Sequence, residues 1–300
     1  MKVLISGGSG LVGSALTQSL RADGHSVFHI VRPGRTPAPG DVRWDPSSAT
    51  VDVPALEGFD AIIHLSGASI AGGRWTDNRK KELRSSRVDS TRVLVDSLER
   101  LKRPPRVFVC ASAIGYYGSR GDELLTESSG YGNDFLAILC RAWEGEAVRA
   151  SAQGIRTVTA RFGVVLATQG GALPRMLTPL RLGVGGRLGN GKQWMSWIAL
   201  EDAVQVLRTA ITDEKMQGPV NLVAPQPVQN AEFTRVLAAV LHRPAIFPAP
   251  AIALRLALGQ MADGLLLASQ RVQPEKLVAS GYKFRHESLQ PALQAILANP

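Results

Sequence analysis

Cysteine and histidine are scarce in this sequence of 300 residues. The two cysteines, Cys110 and Cys140, lie in separate apolar runs and share no CxxC spacing. The five histidines show no metal-ligand spacing either. We therefore expect neither a disulfide framework nor a metal site, and both thiols should be reduced.

Long apolar runs are also absent. The most apolar stretch, residues 251–268, contains Arg255, Gln260 and Asp263, which a membrane span would not carry centrally without a reason. At the start of the chain only three apolar residues separate Lys2 from Ser6, too few for the core of a signal peptide. We expect a cytoplasmic protein with no membrane partner.

Acidic residues are outnumbered by basic ones, 25 against 34, giving a net charge of +9 and a pI near 10.0. This balance fits nucleic acid, an anionic membrane or small phosphorylated ligands, and it also arises from an arginine-rich genome alone. The sequence contains no basic run, helix-turn-helix pattern or basic patch interleaved with aromatics. Nucleic acid is therefore not an expected partner.

Short apolar strands alternate with helices along the first two thirds of the chain. The pattern predicts strands at 2–6, 26–32, 60–65, 106–111, 156–166 and 220–223. It predicts helices ending near 22 and spanning 77–101, 134–152, 173–182 and 199–212. Such alternation favours a parallel sheet covered on both faces, which connection handedness makes doubly wound. The expected fold class is α/β, of the Rossmann type.

The alternation of strands and helices becomes irregular after residue 166. Residues 168–195 are rich in glycine, and prolines break the chain between 244 and 250. We expect a dinucleotide-binding domain at 1–224 and a smaller, mostly helical C-terminal lobe at 225–300. Residues 168–195 should contribute to that lobe, which would hold the substrate.

A glycine cluster follows the first strand and opens the first helix. Such glycines permit a tight turn, a close backbone approach to a pyrophosphate and close helix–strand packing. Free N–H groups at the helix start favour the phosphate charge. We expect the pyrophosphate of a dinucleotide to contact Gly7, Gly8, Ser9, Gly10, Leu11, Val12 and Gly13. A glycine-rich turn without a ligand is the alternative.

The end of the second strand distinguishes the two nicotinamide dinucleotides. A ribose 2′-hydroxyl is usually met by Asp or Glu about 20 residues after the glycines, and a 2′-phosphate by Arg. Residues 26–40 contain no acid but contain Arg32 and Arg35. A guanidinium binds phosphate through bidentate hydrogen bonds. We therefore predict NADP(H), held by Arg32, with Arg35 a weaker candidate that a solvated loop charge would equally explain.

Together, these features resemble the atypical branch of the extended short-chain dehydrogenase/reductases, the uncharacterised "epimerase family" proteins. The similarity covers nearly the whole chain, including a C-terminal region of unknown function. Its motifs are the glycine loop, 64–68, 74–76, 112–118, 134–137, 143–144, 194–198 and 269–282. The resemblance implies a dinucleotide across the carboxyl ends of the strands. It adds as cofactor contacts Leu65, Ser66, Gly67, Glu82, Arg87, Ala111, Ser112, Phe162, Gly163 and Val164.

The proton-transfer residues of that family are missing. The family uses Ser or Thr followed by Tyr-x-x-x-Lys, in which Tyr transfers the proton and Lys depresses its pKa. No tyrosine in this chain has a lysine four residues later. Comparison with the family's helix at 143–144 places Leu136 and Cys140 at those positions. A gap-free comparison at 117–118 places Ala113 at the Ser/Thr position, with Ser112 one residue early.

Other residues are candidates for these roles. For catalysis they are Ser112, Tyr116 and Tyr117. Both tyrosines follow a strand into the expected site, although the favoured interpretation is that one packs in the core and the other lines the pocket. The substrate candidates lie in a loop that resembles the one closing over the sugar nucleotide in extended relatives. They are Lys192, Trp194 and Trp197. Either tryptophan could stack on a ring or pack in the core.

Two functions stay open from the sequence. One is an NADP(H)-dependent oxidoreductase or epimerase acting on a small sugar or carbonyl compound, free or nucleotide-linked. The other is a non-catalytic NADP(H)-binding sensor with a degenerate site. Many relatives dimerise through helices that flank the sheet, so a homodimer is a further alternative.

Overall fold

The computed structural model describes residues 1–34, 36–45 and 50–298, and Arg35 lies outside that range. The strands are β1 (Lys2–Ser6), β2 (Ser26–Val31), β3 (Val42–Asp45), β4 (Thr50–Val51), β5 (Ala61–His64), β6 (Val107–Ala113), β7 (Leu124–Leu125), β8 (Arg156–Phe162), β9 (Val164–Leu166), β10 (Trp194–Met195), β11 (Trp197–Ala199), β12 (Gly218–Leu222), β13 (Val228–Gln229) and β14 (Arg271–Val272). The α-helices are α1 (Leu11–Ala22), α2 (Asp77–Arg84), α3 (Ser90–Leu98), α4 (Phe135–Val148), α5 (Leu173–Arg181), α6 (Leu200–Thr212), α7 (Asn230–Val240), α8 (Ala251–Leu258), α9 (Glu275–Ala279) and α10 (Leu289–Ala298).

The main sheet has the strand order β12-β8-β6-β5-β1-β2-β3-β4. Its strands run parallel except that β4 pairs antiparallel with β3 at one edge. Chain order reverses between β1 and β5, which is the switch point where open α/β sheets bind ligands outside the carboxyl ends of their strands. We call this end of the sheet the carboxyl edge. The Rossmann-type α/β fold class predicted from the sequence is confirmed.

Apolar layers cover both faces of the sheet. On one face α1 and α6 pack against alternate strand residues, and on the other α2, α3 and α4 do so. Leu16 of α1 is fully buried, and burial of such a side chain stabilises the fold by about 1.5–3 kcal/mol. The first layer includes Val3, Ile5, Leu16, Leu20, Val109 and Leu207. The second includes Leu4, Ile62, Leu94, Phe108, Leu139 and Trp143.

Two predicted elements are interrupted. The helix predicted over 77–101 is α2, a π-helical turn at Ser85–Asp89, and then α3. The strand predicted over 156–166 divides at Gly163, because β9 leaves the main sheet and pairs with β11. The short strands β3 and β4 carry no prediction from the sequence.

The chain after β12 packs in two places. Leu177 of α5, Phe233 of α7 and Leu293 of α10 share a third apolar cluster, so residues 168–195 pack with later helices. Leu277 of α9 instead packs in the layer beneath the main sheet. The domain boundary expected after residue 224 stays a prediction.

The start of α6 also binds this late segment. The buried Asp202 carboxylate accepts hydrogen bonds from the backbone N–H groups of Arg285 (2.8 Å) and His286 (2.9 Å). The last part of the chain is therefore attached to the layer of α1 and α6. Within the described residues no helix has the length and apolarity to cross a membrane.

Candidate functional site

The glycine loop makes a tight turn from β1 into α1. A Cβ atom on Gly13 would lie 2.2 Å from the carbonyl oxygen of Gly7, and one on Gly8 would lie 2.2 Å from Cδ2 of His29. Gly7 has a φ of +73°, and the Gly10 N–H donates to its carbonyl oxygen at 2.9 Å. Only glycine allows this approach of helix and strand. The free N–H groups that start α1 therefore lie at the carboxyl edge, where they suit a phosphate.

A buried hydrogen bond joins the ends of the two central strands. Ser6 ends β1 and His64 ends β5, and Oγ of Ser6 lies 2.6 Å from Nδ1 of His64. Burial lowers the pKa of His64 from 6.5 to about 4, so its ring is neutral at pH 7. The pair fixes the starting points of two loops, the glycine loop and residues 65–67.

Residues 65–67 lie against the glycine loop. A Cβ on Gly7 would be 2.8 Å from the carbonyl oxygen of Leu65. From the other side, Arg87 donates to the carbonyl oxygen of Ala68 at 2.9 Å, and a Cβ on Gly67 would be 3.2 Å from the Arg87 guanidinium carbon. The structure thus brings together Leu65, Ser66 and Gly67, with Arg87 as their support.

Glu82 does not join Arg87. Its carboxylate pairs with Arg79 and is 56% exposed. Arg87 instead lies over the ring of Trp143, with 5.4 Å from its guanidinium carbon to the ring centroid. The π-helical turn carries Arg87 towards the sheet, whereas Glu82 belongs to the preceding α-helix. Of these two predicted cofactor residues, only Arg87 touches the loops of the carboxyl edge.

Two arginines flank a cavity at the ends of β2 and β3. The cavity has a volume of about 380 Å³ and is lined by Arg32, Pro33, Gly34, Arg43, Trp44, Asp45, Val51 and Asp52. Arg32 follows β2, and Arg43 is paired with Val31 in the register of β2 and β3. Both side chains are exposed. Arg43 carries no prediction from the sequence, because β3 is too short for its apolar pattern to predict a strand.

Three polar side chains lie side by side near the ends of β6, β8 and β12. Strand register pairs Ser112 with Arg161, and Arg161 with Asn221. Oγ of Ser112 donates to Oε1 of Glu144 at 2.6 Å, and Arg161 donates to both Glu144 oxygens at 2.8 Å. The carboxylate raises the pKa of Arg161 against the effect of burial. A bidentate ion pair therefore lies beneath the carboxyl edge.

The two tyrosines predicted as catalytic occupy different environments. Tyr117 is fully buried, accepts a hydrogen bond from Arg161 at 2.9 Å and donates to Oδ1 of Asn221 at 2.7 Å. Burial raises the pKa of Tyr117 to about 12. Tyr116 is only partly buried, and its ring stacks on Arg161, with 3.5 Å from the guanidinium carbon to the ring centroid. The Tyr117 proton is thus engaged in the network, whereas Tyr116 borders it.

The positions of the missing family pair are apolar. Leu136 and Cys140 lie in α4 and are 8% and 4% exposed. Burial raises the pKa of the Cys140 thiol to about 12. A Cβ on Gly115 would lie 3.3 Å from the Leu136 Cβ, so this helix packs closely on the segment after β6. Neither side chain can transfer a proton or supply positive charge.

Residues 162–164 connect β8 to β9 and form backbone hydrogen bonds to neighbouring segments. The Gly163 N–H donates to the carbonyl oxygen of Leu222 at 3.0 Å, and the Val164 N–H donates to that of Ser196 at 2.9 Å. A Cβ on Gly163 would lie 2.6 Å from the Ser196 oxygen. Phe162 ends β8 beside this junction, and Ala111 is buried in β6. The predicted segment therefore lies at the carboxyl edge in a fixed backbone conformation.

The three predicted substrate residues lie in different environments. Lys192 is exposed, and the indole N–H of Trp194 donates to Oδ1 of Asp122 at 2.7 Å. Trp197 is fully buried and donates to the carbonyl oxygen of Gln226 at 3.1 Å. Trp197 is thus a core residue in this structure, because β11 turns its side chain into the third apolar cluster. Lys192 and Trp194 keep a surface that a ligand could reach.

Besides Arg43, the sequence analysis assigns no role at the site to Arg161, Asn221 or Arg271. Arg161 and Asn221 are the polar residues within otherwise apolar strand ends, and that contrast is a readable signal. Arg271 lies in a two-residue strand and has no such signal. Within the described residues, no group of three or more His, Cys, Asp and Glu side chains could hold a metal ion.

Several known proteins are similar to this chain in sequence. Residues 3–223 match the model of the NAD dependent epimerase/dehydratase family, and residues 249–296 match a Domain of unknown function (DUF1731). The epimerase family protein ML0860 of Mycobacterium leprae is 42% identical over 299 residues, covering 99% of this chain and 96% of the relative. The epimerase family protein SDR39U1 of Homo sapiens is 36% identical over 301 residues, covering 99% and 100%.

Two solved structures are similar in fold. The crystal structure of human SDR39U1 (isoform 2) with NADPH matches with a TM-score of 0.92 and 35% identity, covering 100% of both chains. The structure of MoeE5 in complex with UDP-glucose and NAD matches with a TM-score of 0.78 at 20% identity, covering 99% of this chain and 98% of the other. The second similarity concerns the fold alone.

Proposed function

Because this chain belongs to the NAD-dependent epimerase/dehydratase family, we propose that it binds NADP(H) across the carboxyl edge and transfers hydride to or from a small sugar or carbonyl compound. The glycine loop fits the dinucleotide, since Gly8 and Gly13 leave no room for a side chain between helix and strand. In this proposal the pyrophosphate contacts Gly7–Gly13, and residues 65–67 and 162–164 lie along the rest of the cofactor. Ala111 and Ser112 would complete the cofactor contacts.

The observation that carries the choice of NADP(H) is the pair Arg32 and Arg43 beside one cavity. A 2′-phosphate carries up to two negative charges, and two guanidinium groups, one directly after β2 and one in β3, would meet it from two sides. The relative SDR39U1 has been solved with NADPH, which supports the same choice. Asp45 and Asp52 also line the cavity, so the arginines must balance those charges as well.

The bound nicotinamide would supply or accept the hydride, and this chain's residues would handle the proton. Ser112 and Tyr117 already donate their hydroxyl protons to Glu144 and Asn221. Tyr116 borders the same network without being enclosed. We therefore assign proton transfer to Tyr116, and positioning roles to Ser112 and Tyr117. Tyr116→Phe should abolish turnover while NADPH binding persists.

The cofactor assignment is tested by titrating NADPH and NADH by calorimetry into wild type, Arg32→Ala, Arg43→Ala and the control Arg243→Ala. Arg243 is exposed, follows the end of α7 and does not line the cavity. We expect wild type and the control to bind NADPH at least tenfold more tightly than NADH. Each cavity variant should lose most of that preference without weaker NADH binding. Equal wild-type affinity for the two nucleotides would overturn the assignment.

A second function is favoured by Leu136 and Cys140. Apolar residues at the positions of the family's Tyr and Lys are what a non-catalytic NADP(H) sensor would show. The sensor predicts tight NADPH binding with no NADPH oxidation against a broad panel of aldehydes, ketones and keto-sugars. It also predicts that Tyr116→Phe changes nothing measurable. Turnover that this substitution removes would favour the oxidoreductase.

A further inference from the structure

We propose that Arg271, whose guanidinium lies over the ring of Trp194, binds an oxyanion of the substrate, either a carboxylate or a phosphate. This inference rests on the proposed function, because it assigns the substrate class to the same carboxyl edge. Arg271 lies in β14, and its guanidinium carbon is 4.5 Å from the centroid of the Trp194 ring. The site therefore joins a residue of the C-terminal region to the loop that contains Lys192.

Among the described residues, no hydrogen-bond acceptor pairs with the Arg271 guanidinium. Its Nε is buried and donates to no acceptor, and within the described ranges the side chain forms no ion pair. Burial of an N–H group without an acceptor is unfavourable, so native structures usually supply one. A ligand oxyanion would supply it here.

Three other arginines that are fully or partly buried have protein acceptors. Arg161 pairs with Glu144, and Arg87 donates to the carbonyl oxygen of Ala68. Arg156 donates to the carbonyl oxygens of Ala210 and Met216 at 2.8 and 2.7 Å. Arg271 differs from all three, because its contact is the face of an aromatic ring. Such stacking leaves the N–H edges of the guanidinium available to a ligand.

The backbone around Arg271 is anchored next to the proposed catalytic residues. Ser196 is fully buried, and its Oγ donates to the carbonyl oxygen of Gln270 at 2.8 Å and accepts from the Val272 N–H at 2.9 Å. Nε2 of Gln270 donates to the carbonyl oxygen of Ile114, which directly follows β6. Val272 is buried among apolar residues, so the alternation of a strand directs Arg271 to the opposite side.

Trp194 is also held in place. Its indole N–H donates to Oδ1 of Asp122 at 2.7 Å, and its backbone N–H donates to Oγ of Ser269 at 3.0 Å. The Asp122 carboxylate faces the indole and forms no ion pair with Arg271 within the described part of the chain. The ring therefore fixes the plane of the guanidinium, as a fork for a planar carboxylate or a phosphate requires. Lys192, exposed two residues earlier, adds positive charge.

The test titrates NADP⁺-saturated protein by calorimetry with inorganic phosphate, acetate and UDP, and follows Trp fluorescence in parallel. Wild type should bind at least one of these anions, and Arg271→Gln should weaken that binding at least tenfold. Arg271→Lys keeps the charge but loses the fork, so we expect a loss of two- to fivefold. Trp194→Phe should remove most of the fluorescence response while keeping binding within about fivefold. The control Arg285→Gln, on a side chain 73% exposed and paired with Glu201, should behave as wild type.

The three probes distinguish the sources of the oxyanion. Preference for acetate indicates a substrate carboxylate, preference for phosphate a phosphorylated substrate, and preference for UDP a nucleotide-linked one. The proposal would be overturned if Arg271→Gln bound the anions as tightly as wild type does. It would also be overturned if wild type bound none of them. A tenfold loss of NADP⁺ affinity in Arg271→Gln would also overturn it, by assigning the residue to the cofactor. If NADP⁺ itself fails to bind, the proposed function fails, and anion binding to the cofactor-free protein then decides this site separately.

Discussion

Ser112 donates its hydroxyl proton to Glu144 at 2.6 Å, and Glu144 binds Arg161 through both carboxylate oxygens. The three residues come from β6, α4 and β8, and all are less than 10% exposed. The ion pair neutralises a buried carboxylate and a buried guanidinium. Because the Ser112 hydroxyl already donates its proton to Glu144, only its oxygen lone pairs remain for a further hydrogen bond. Any group that meets Ser112 from the carboxyl edge must therefore be a hydrogen-bond donor.

Glu144→Gln should strongly destabilise the protein. It keeps the shape of the side chain but leaves the Arg161 charge buried and unpaired, which costs about 3–5 kcal/mol. The matched control is Glu146→Gln in the same helix, since Glu146 pairs with the half-exposed Arg92 and Arg149. Loss of such surface pairs costs about 0–1 kcal/mol. Urea unfolding at pH 7 checks both, and equal losses in the two variants would contradict the burial argument.

Stability should fall as the pH drops from 6.5 to 4, and His64 should carry much of that fall. The unfolded histidine binds a proton below about pH 6.5, whereas burial holds the folded His64 neutral until about pH 4. The unfolded state therefore binds more protons in this window, so stability is complete above pH 6.5 and declines below it. The loss approaches about 3 kcal/mol, at about 1.4 kcal/mol for each pH unit.

Urea unfolding of His64→Asn between pH 8 and 5 measures that contribution. The variant should show a flatter pH dependence than wild type. His29, whose pKa is also lowered mainly by burial, should keep a smaller slope in both proteins. The control His242→Asn changes an exposed histidine with a φ of +53°, a conformation that asparagine tolerates. An unchanged slope in His64→Asn would show that this ring titrates as in the unfolded chain.

Gly13→Ala should damage both stability and dinucleotide binding. The added Cβ would lie 2.2 Å from the Gly7 oxygen and 2.9 Å from the Gly8 Cα, so helix and strand must separate. We expect a loss of about 1–3 kcal/mol, typical of overpacking, and at least tenfold weaker NADPH binding. Gly145→Ala is the control, because a Cβ on this exposed helical glycine meets no atom within 4 Å. It should stabilise the protein by about 0.5–1 kcal/mol. Thermal melts with and without NADPH give both quantities.

Both cysteines should be unreactive in the folded protein. Burial raises the pKa of Cys140 to about 12 and that of Cys110 further still, so almost no thiolate exists at pH 8. A chromogenic disulfide reagent should therefore modify two thiols rapidly in urea and none over the same time without it. Rapid modification of either thiol in the native protein would contradict the burial of that cysteine.

The sequence predicts the repeating elements well because they depend on local patterns. Apolar runs bounded by glycine locate β1, and the glycine spacing places α1. Gly163 interrupts the strand predicted over 156–166, because the partner of β9 is β11 and not a neighbour in the main sheet. A strand of three residues has no periodicity that would reveal such a change of partner.

The candidate site is less predictable because it depends on contacts between distant residues. Ser112 is 32 residues from Glu144, and Tyr117 is 104 residues from Asn221. No spacing rule links such pairs, since they meet only after the strands align. Trp197 illustrates the same limit, because strand direction alone decides whether an aromatic side chain faces a ligand or the core.

The attachment of the C-terminal segment to the first layer constrains how the molecule can move. Asp202 holds the backbone at Arg285 and His286, and Lys276 of α9 donates to the carbonyl oxygen of Gln217 at 2.9 Å. The chain that follows β12 is thus attached to the first layer again near its end, which leaves no single hinge about which it could move. Opening of the carboxyl edge must come from its loops, and the two halves of the chain should melt as one cooperative unit.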